Sequence, residues 1–239
     1  MRKLRAVYAV LTAVLIAISA INLSAGTASA AEQRGGFVVS KAQYNRMFPH
    51  HKKLYTYKGL VKAMKAFPAF AHTGDAKTRK REAAAFLANV SHETGGLKYI
   101  NEQNKANWPT YCADEPYGCP AGQSAYHGRG PLQISWNYNY KAAGDAFHVD
   151  LLHHPDLAAK NSTVTWKLAL WYWMTQSGPG TMTPHHAMVQ RGGFGETIRS
   201  INGGVECNGG NPAEVHDRIA KYKRFTTMLH VGTGRHLSC

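Results

Sequence analysis

Two glutamates nine residues apart are the side chains of this sequence best suited to acid–base chemistry. Glu93 ends an apolar, alanine-rich run, so we expect its carboxyl to be partly shielded from water, the alternative being an ordinary surface glutamate. Glu102 follows in YINEQN. On one continuous helix, nine residues would separate the two by about 13.5 Å along the axis and place them on roughly opposite sides. Both can reach one substrate only if the chain breaks between them.

The pair Gly95-Gly96 supplies such a break. Glycine ends helices readily, so the chain can turn there and return along the opposite wall of a cleft. Two carboxyls about 6.5–9.5 Å apart suit an inverting glycosidase, in which one donates a proton and the other activates water. The neighbouring His92 also suggests a zinc protease, but H-E-x-x-H requires a second histidine where this chain has Gly96. The zinc-protease reading is therefore excluded.

A second group of polar residues lies in GRGPLQISWNYNY, residues 128–140. Amide and hydroxyl side chains (Gln133, Ser135, Asn139) alternate there with aromatic ones. Hydrogen-bonding groups beside aromatic faces suit sugar binding. The alternative is a turn whose aromatic residues belong to the core.

A third group is INGGVEC, residues 201–207, which we interpret as a glycine-rich turn carrying Asn202 and Glu206. Arg218 follows in the last predicted helix.

The elements that must position these residues are helices separated by glycine-rich loops. Apolar residues recur at helical spacing, and caps or prolines mark several ends. The best short extended run is residues 132–136. The sequence predicts one mostly α (α+β) domain with helices over 40–47, 57–67, 77–93 and 163–175 and a last helix opened by Asn211-Pro212.

The first thirty residues have the pattern of a secretory signal peptide: cations, then an apolar stretch, then Ala28-Ser29-Ala30. A membrane anchor is the alternative, because the apolar stretch is long for a signal peptide. We expect cleavage after Ala30, no later membrane contact, and an exported catalytic domain over residues 31–239.

The four cysteines are expected to form two disulfides, because the chain is exported and their number is even. Pairing of neighbours gives Cys112–Cys119 and Cys207–Cys239, one of three possible connectivities. A zinc site competes weakly, because no metal-ligand pair of cysteines or histidines stands near another.

Composition and charge exclude further classes of protein. The chain has 239 residues, a formal net charge of +14 and 44% hydrophobic residues, which excludes intrinsic disorder. No nucleic-acid motif accompanies the basic charge, so it belongs either to solvated helix faces or to a surface that is attracted to an anionic cell wall. The thirteen histidines, including the pairs at 50–51, 153–154 and 185–186, lack ligand spacing and are expected at the surface or in loops.

Taken together, these segments resemble the family 19 glycoside hydrolases, chitinases with a lysozyme-like fold. The resemblance covers most of residues 40–239 and is of the compact bacterial type, without a chitin-binding domain. Its matching segments are REAAAFLANVSHETGGL, the Cys112–Cys119 loop, GRGPLQISWNYNY, KLALWYWMT, INGGVEC and DRIAKYKRF.

The resemblance implies a role for each matching residue. Glu93 would be the general acid and Glu102 the general base, with Ser135 helping to hold the attacking water. Substrate would be bound by Gln133, Asn139 and Asn202, and the catalytic carboxyls would be oriented by Glu206 and Arg218.

The implied reaction is endo-hydrolysis of β-1,4-linked N-acetylglucosamine with inversion, by a monomer that needs no metal or cofactor. The substrate would be chitin or its oligosaccharides. Two alternatives stay open: a peptidoglycan-degrading, endolysin-like enzyme, and an inactive chitin-binding protein.

Overall fold

The regular structure is almost entirely helical in the computed structural model, which describes residues 36–190 and 192–239. The predicted mostly α-helical fold is confirmed, whereas the signal peptide predicted over residues 1–30 lies outside the described residues. Residues Val39–Cys239 form one compact unit. The helices are α1 (Lys41–Met47), α2 (Tyr57–Met64), α3 (Ala76–Glu93), α4 (Asn137–Phe147), α5 (Leu157–Lys160), α6 (Ser162–Thr175), α7 (Pro184–Val189), α8 (Phe194–Glu206) and α9 (Pro212–Met228), with 3-10 helices at Lys105–Tyr111 and Gln123–Tyr126.

Several helix ends follow from local chemistry. Ser40 caps α1 in a capping box with Gln43, and Asn211 caps α9 before a proline at its first position. α2 ends at Met64, earlier than the predicted residue 67. The residues after it form i to i−3 turns, because the residue before Pro68 disfavours the α conformation.

The extended run predicted at residues 132–136 is not a strand. Within the described residues, β pairing is limited to two isolated bridges, Asn101 with Arg129 and Arg129 with Ile134. Positive φ angles at Gly130 (75°) and Gln133 (47°) turn the chain before a ladder can extend. The segment is a tight turn stabilised by hydrogen bonds.

The interpretation of residues 201–207 as a glycine-rich turn is wrong. They continue α8 as far as Glu206, with one non-helical residue, Asn202 (φ −146°), that kinks the helix. The glycines that suggested a turn lie on the helix itself. Asn202 and Glu206 are therefore presented from a helix end.

The core is built around α3, which is buried along most of its length and packs against α9. Phe86 of α3 contacts Trp166 and Trp173 of α6 edge to face or at a tilt. Both tryptophans are fully buried, as predicted for core residues. Aromatic packing of this kind makes α3 a rigid support for the carboxyl at its end.

The histidines are not confined to the surface and loops, which corrects the sequence interpretation. His127 lies in a loop, as predicted, but it is 5% exposed and stacks on Trp108 at a ring separation of 3.6 Å. His185, in α7, lies 2.6 Å from an oxygen of Glu82, a carboxyl that is fully buried. A buried carboxyl requires such partners, which local spacing does not reveal.

Both predicted disulfides are present: Cys112–Cys119 and Cys207–Cys239. The second joins the end of α8 to the last residue of the chain. The C-terminal segment also lies along the start of α8, where the Gly195 N–H donates to the His236 carbonyl. This disulfide therefore fixes the segment against the helix that carries Asn202 and Glu206.

Replacing Cys207 and Cys239 together by serine is expected to lower the free energy of unfolding by about 2–5 kcal/mol. Without this disulfide, the unfolded chain regains the conformational entropy that closing a loop of 32 residues removes. Urea unfolding measures the change, with the Cys112/Cys119 double serine variant as control. Because that disulfide closes a shorter loop, its removal should lower the free energy of unfolding by roughly 1 kcal/mol less. An unchanged unfolding midpoint would contradict the prediction.

Candidate active site

Glu93 is the last residue of α3, and the chain turns immediately after it. Thr94 is buried, donates its hydroxyl to the Val90 carbonyl and accepts from the Leu97 N–H. Gly95 (φ 58°) and Gly96 (φ 80°) then adopt the left-handed conformation that ends the helix. The predicted break between the two glutamates is confirmed.

Behind Glu93 lies a buried charge network centred on Arg218 of α9. Arg218 Nη2 is 2.5 Å from Glu93 Oε1 and 2.7 Å from Glu206 Oε1, and Nε is 2.8 Å from Glu206 Oε2. Arg218 is 1% and Glu206 2% exposed, whereas the Glu93 side chain is 17% exposed. One guanidinium thus fixes the position of the more accessible carboxyl.

The charges of this network stabilise one another. Burial alone would raise the pKa of Glu206, but hydrogen bonds from Arg218 and its positive charge outweigh burial and hold that pKa below its ordinary value. The two carboxylates likewise raise the pKa of Arg218 against the effect of burial. Arg218 and Glu206 therefore stay ionised at neutral pH.

Amides complete the network. Asn202 donates to Glu206 Oε1 over 2.8 Å. Asn89, one turn before Glu93 on α3, accepts from Arg218 Nη1 over 3.0 Å and donates to Thr197 Oγ1. These bonds tie α3, α8 and α9 together around Arg218.

His92 adds a second link between α3 and α9. Its Nδ1 lies 2.6 Å from Asp217 and its Nε2 lies 3.0 Å from Glu214. Lys221 also pairs with Asp217. Asp217 directly precedes Arg218, so the contact fixes the helix on which the guanidinium stands.

Glu102 is held by the 3-10 helix Lys105–Tyr111. Its Oε1 accepts from the Tyr111 hydroxyl (3.1 Å) and from Asn107 Nδ2 (3.2 Å), and its carbonyl accepts from Trp108 Nε1. Its other oxygen, Oε2, is buried and has no hydrogen-bond partner among the described residues. Burial, together with the charge and hydrogen bond of Glu102, raises the pKa of Tyr111 to about 12, so the hydroxyl remains a donor.

The turn after Gly128 places the predicted sugar-binding residues beside Glu102. The Glu102 N–H donates to the Gly128 carbonyl over 2.8 Å. A Cβ at Gly128 would lie 3.1 Å from Gln133 Oε1 and 3.2 Å from Ser135 Oγ, so glycine permits this close approach. Asn139 Nδ2 donates to the Ser135 carbonyl.

These parts enclose one cleft of about 830 Å³. Both glutamates line it, with the predicted residues Gln133, Ser135, Asn139 and Asn202. Glu206 and Arg218 do not line it and support Glu93 from behind. The cleft also contains aromatic and loop residues: Tyr99, Tyr111, Trp136, Tyr138, Tyr172 and the turn 176–179.

Several of these contributors were not identified from the sequence. Asn89 carried a detectable signal, because a polar side chain interrupts the apolar, alanine-rich run of α3 one turn before Glu93. Tyr111 and Asn107 gave none, since their contact with Glu102 depends on the path of a 3-10 helix. The residues of 176–179 come from a distant part of the chain.

The chain matches the family described as chitinase class I, glycoside hydrolase family 19, over residues 38–239. Among its relatives, chitinase 3 of Oryza sativa subsp. japonica is 43% identical over 234 residues, covering 84% of this chain and 73% of that protein. An endochitinase of Phaseolus vulgaris is 40% identical over 235 residues, covering 84% and 70%.

Solved structures of chitinases are similar to this chain in fold and sequence. Chitinase C from Streptomyces griseus HUT6037 is 64% identical with a TM-score of 0.83, covering 86% of this chain and 81% of that chain. A class IV chitinase from Zea mays is 42% identical with a TM-score of 0.74, covering 84% and 98%. Sequence and fold agree: the chain belongs to glycoside hydrolase family 19 and is a glycosidase of the chitinase group.

Proposed function

We propose that this protein is a secreted endo-chitinase that hydrolyses β-1,4-linked N-acetylglucosamine polymers with inversion. The observation that carries the proposal is the cleft in which Glu93 and Glu102 come from opposite sides of a chain break. The names of its relatives, which include chitinases and endochitinases, support the choice of substrate.

Glu93 acts as the general acid. Only its Oε1 contacts Arg218, which leaves Oε2 to carry the proton that passes to the glycosidic oxygen as the bond from that oxygen to C1 breaks. Arg218 and Glu206 are positioning residues, because they are buried behind the cleft and act through Glu93.

Glu102 acts as the general base. It takes a proton from water while the water oxygen bonds to C1 from the face opposite the leaving group. Oε2 is the oxygen assigned to this water. A buried carboxylate oxygen without a partner is costly, and a hydrogen bond from water would recover that free energy. Ser135, close by across Gly128, helps to hold the water.

Gln133, Asn139 and Asn202 bind the sugar. They offer amide groups to the hydroxyl and acetamido groups of N-acetylglucosamine, and they line the same cleft as the two carboxyls. The ring faces of Trp136 and Tyr138, stacked 5.7 Å apart at 17°, provide apolar area beside them. No metal or cofactor enters these steps.

The enzyme is proposed to be exported as a monomer, with residues 1–30 as the signal peptide and 31–239 as the catalytic domain. The leader pattern and the two disulfides support export. None of the described helices combines the length and apolar character that a membrane span requires.

Activity assays on three substrates test the function. We expect cleavage of N-acetylglucosamine hexamer and release of oligosaccharides from chitin, and little clearing of bacterial cell walls. Clearing of cell walls without release from chitin would favour the peptidoglycan-degrading alternative. Binding of the hexamer without cleavage would identify an inactive chitin-binding protein.

Tyr111→Phe is expected to lower kcat on the hexamer by about tenfold to a hundredfold, with KM nearly unchanged. A hydrogen bond to a charged group contributes about 1.5–3 kcal/mol, which converts to that range of rates. Steady-state kinetics measures the change, and Tyr117→Phe, a tyrosine outside the cleft lining, is the control. Wild-type kcat in Tyr111→Phe would show that the phenol does not orient Glu102.

A further inference from the structure

The positive charge of this protein is concentrated in one part of the chain. Residues 39–74, here called the basic segment, contain no aspartate or glutamate. The segment comprises α1, α2 and the loop between them, and continues to the start of α3. Its cations are Lys41, Arg46, Lys52, Lys53, Lys58, Lys62 and Lys65.

All these cations are exposed, and none forms an ion pair with a carboxylate of residues 36–190 or 192–239. Some cations elsewhere in the described residues are instead paired with carboxylates. Lys141 pairs with Asp145, Lys160 with Asp156, and Lys221 with Asp217. The charge of the basic segment is therefore available to a partner.

Helix α2 shows how this charge is arranged. Lys58 and Lys62 of α2 and Lys65, the C-cap residue with helical backbone angles, are spaced i, i+4 and i+7, so they form one stripe about 10.5 Å long. The opposite side, with Leu60 and Met64, is buried. Like charges on one stripe repel one another and weaken an isolated helix, and a bound anion would relieve that repulsion.

The basic segment contributes no residue to the lining of the catalytic cleft, although the Tyr55 hydroxyl donates to the carbonyl of Tyr99, a residue of that lining. Ring contact between Tyr44 and Tyr57 packs α1 against α2. Arg224 of α9, also exposed, donates to the Met47 carbonyl at the end of α1 and adds a further cation beside the segment.

We propose that the basic segment binds a linear phosphodiester polymer of a cell envelope. Phosphodiesters remain ionised at every working pH and repeat one negative charge per unit, which fits a row of lysine ammonium groups that act as point charges. Such binding holds the enzyme at a wall surface through a site other than its substrate cleft, and salt screens it.

Poly(glycerol phosphate) is the probe, and its affinity for the full mature chain is measured at 50 and 200 mM salt. We expect binding at 50 mM salt that weakens clearly at 200 mM. The triple variant Lys58→Ala, Lys62→Ala, Lys65→Ala should bind about a hundredfold more weakly at 50 mM salt, because each lysine near an anionic surface contributes about fivefold.

A control variant with the same change in net charge distinguishes a local site from overall charge. Lys98→Ala, Lys141→Ala, Lys160→Ala should weaken binding by less than about threefold, since two of these lysines already pair with aspartates. Hexamer hydrolysis by both variants should match the wild type, which shows that both fold and that the glycosidase activity is independent.

Two results would overturn the proposal. One is the absence of binding to poly(glycerol phosphate) at 50 mM salt. The other is equal weakening by the two triple variants, which would mean that net charge alone attracts the polymer. Neither result affects the proposed glycosidase function, because hydrolysis of the neutral hexamer is measured separately.

Discussion

Glu93→Gln is expected to lower kcat on N-acetylglucosamine hexamer by about a hundredfold to ten-thousandfold, which is the range that general acid–base catalysis contributes. Glutamine keeps the size and most of the polarity of the side chain but cannot release a proton to the leaving oxygen. Binding of the hexamer should persist. Stopped assays for kcat and calorimetry for affinity separate the two effects.

Glu196→Gln is the matched control for that experiment. Glu196 lies on α8 and pairs with Arg199 over 3.2 Å, outside the cleft lining. The kcat of the Glu196→Gln variant should equal that of the wild type. If Glu93→Gln retained near-wild-type turnover, the proton donor would have to be another group of the cleft.

Arg218→Met is expected to lower the free energy of unfolding by about 3–5 kcal/mol at pH 7. Methionine fills much of the volume but leaves Glu206, which is 2% exposed, as a buried carboxylate without its cation. Urea unfolding measures the loss. Arg199→Met, which removes a half-buried ion pair, should cost less than about 1 kcal/mol.

The loss in Arg218→Met should depend on pH. In the wild type the pKa of Glu206 lies below its ordinary value of 4.5, so its contribution to stability is present above pH 4.5 and disappears as the pH falls through the lower folded-state pKa. In Arg218→Met, protonation of Glu206 removes the unpaired buried charge and so restores stability. The difference between the two proteins should therefore shrink below pH 4.5, and a difference that is constant with pH would contradict the charge network.

The sequence predicts five of the nine described α-helices, because the signals of those five are local. Ser40 and Asn211 are side chains whose capping bonds are made within three residues, and Gly95-Gly96 ends α3 through backbone conformation. The spacing of Trp166 and Trp173 on α6 predicts that both lie in the core, and both are fully buried.

Predictions failed where tertiary contacts decide the conformation. Glycines at 203 and 204 suggested a turn, yet α8 continues through them, since Glu206 is anchored by Arg218 at the helix end. The run at 132–136 has strand-like composition, but a positive φ at Gln133 turns it. His185 resembled a surface residue because its partner Glu82 lies about a hundred residues away.

The residues of the candidate site also fall into those that the sequence predicts and those that only the structure identifies. Residue types and spacing point to the two glutamates and to the polar residues of 128–140, the family resemblance assigns their roles, and the fold brings them together in one cleft. The groups that hold the carboxyls in place, such as Tyr111 on Glu102 and Asn89 on Arg218, required the structure. Hydrogen bonds between side chains on different helices leave no periodic signal in a sequence.

The stereochemistry of the product tests the proposed mechanism most directly. Hydrolysis of N-acetylglucosamine hexamer by residues 31–239 is followed by chromatography that resolves the anomers before they interconvert. A predominant α-anomer at the new reducing end is the predicted result, because water activated by Glu102 attacks the face opposite the leaving group. A predominant β-anomer would mean retention and would contradict the assignment of Glu102 as the base.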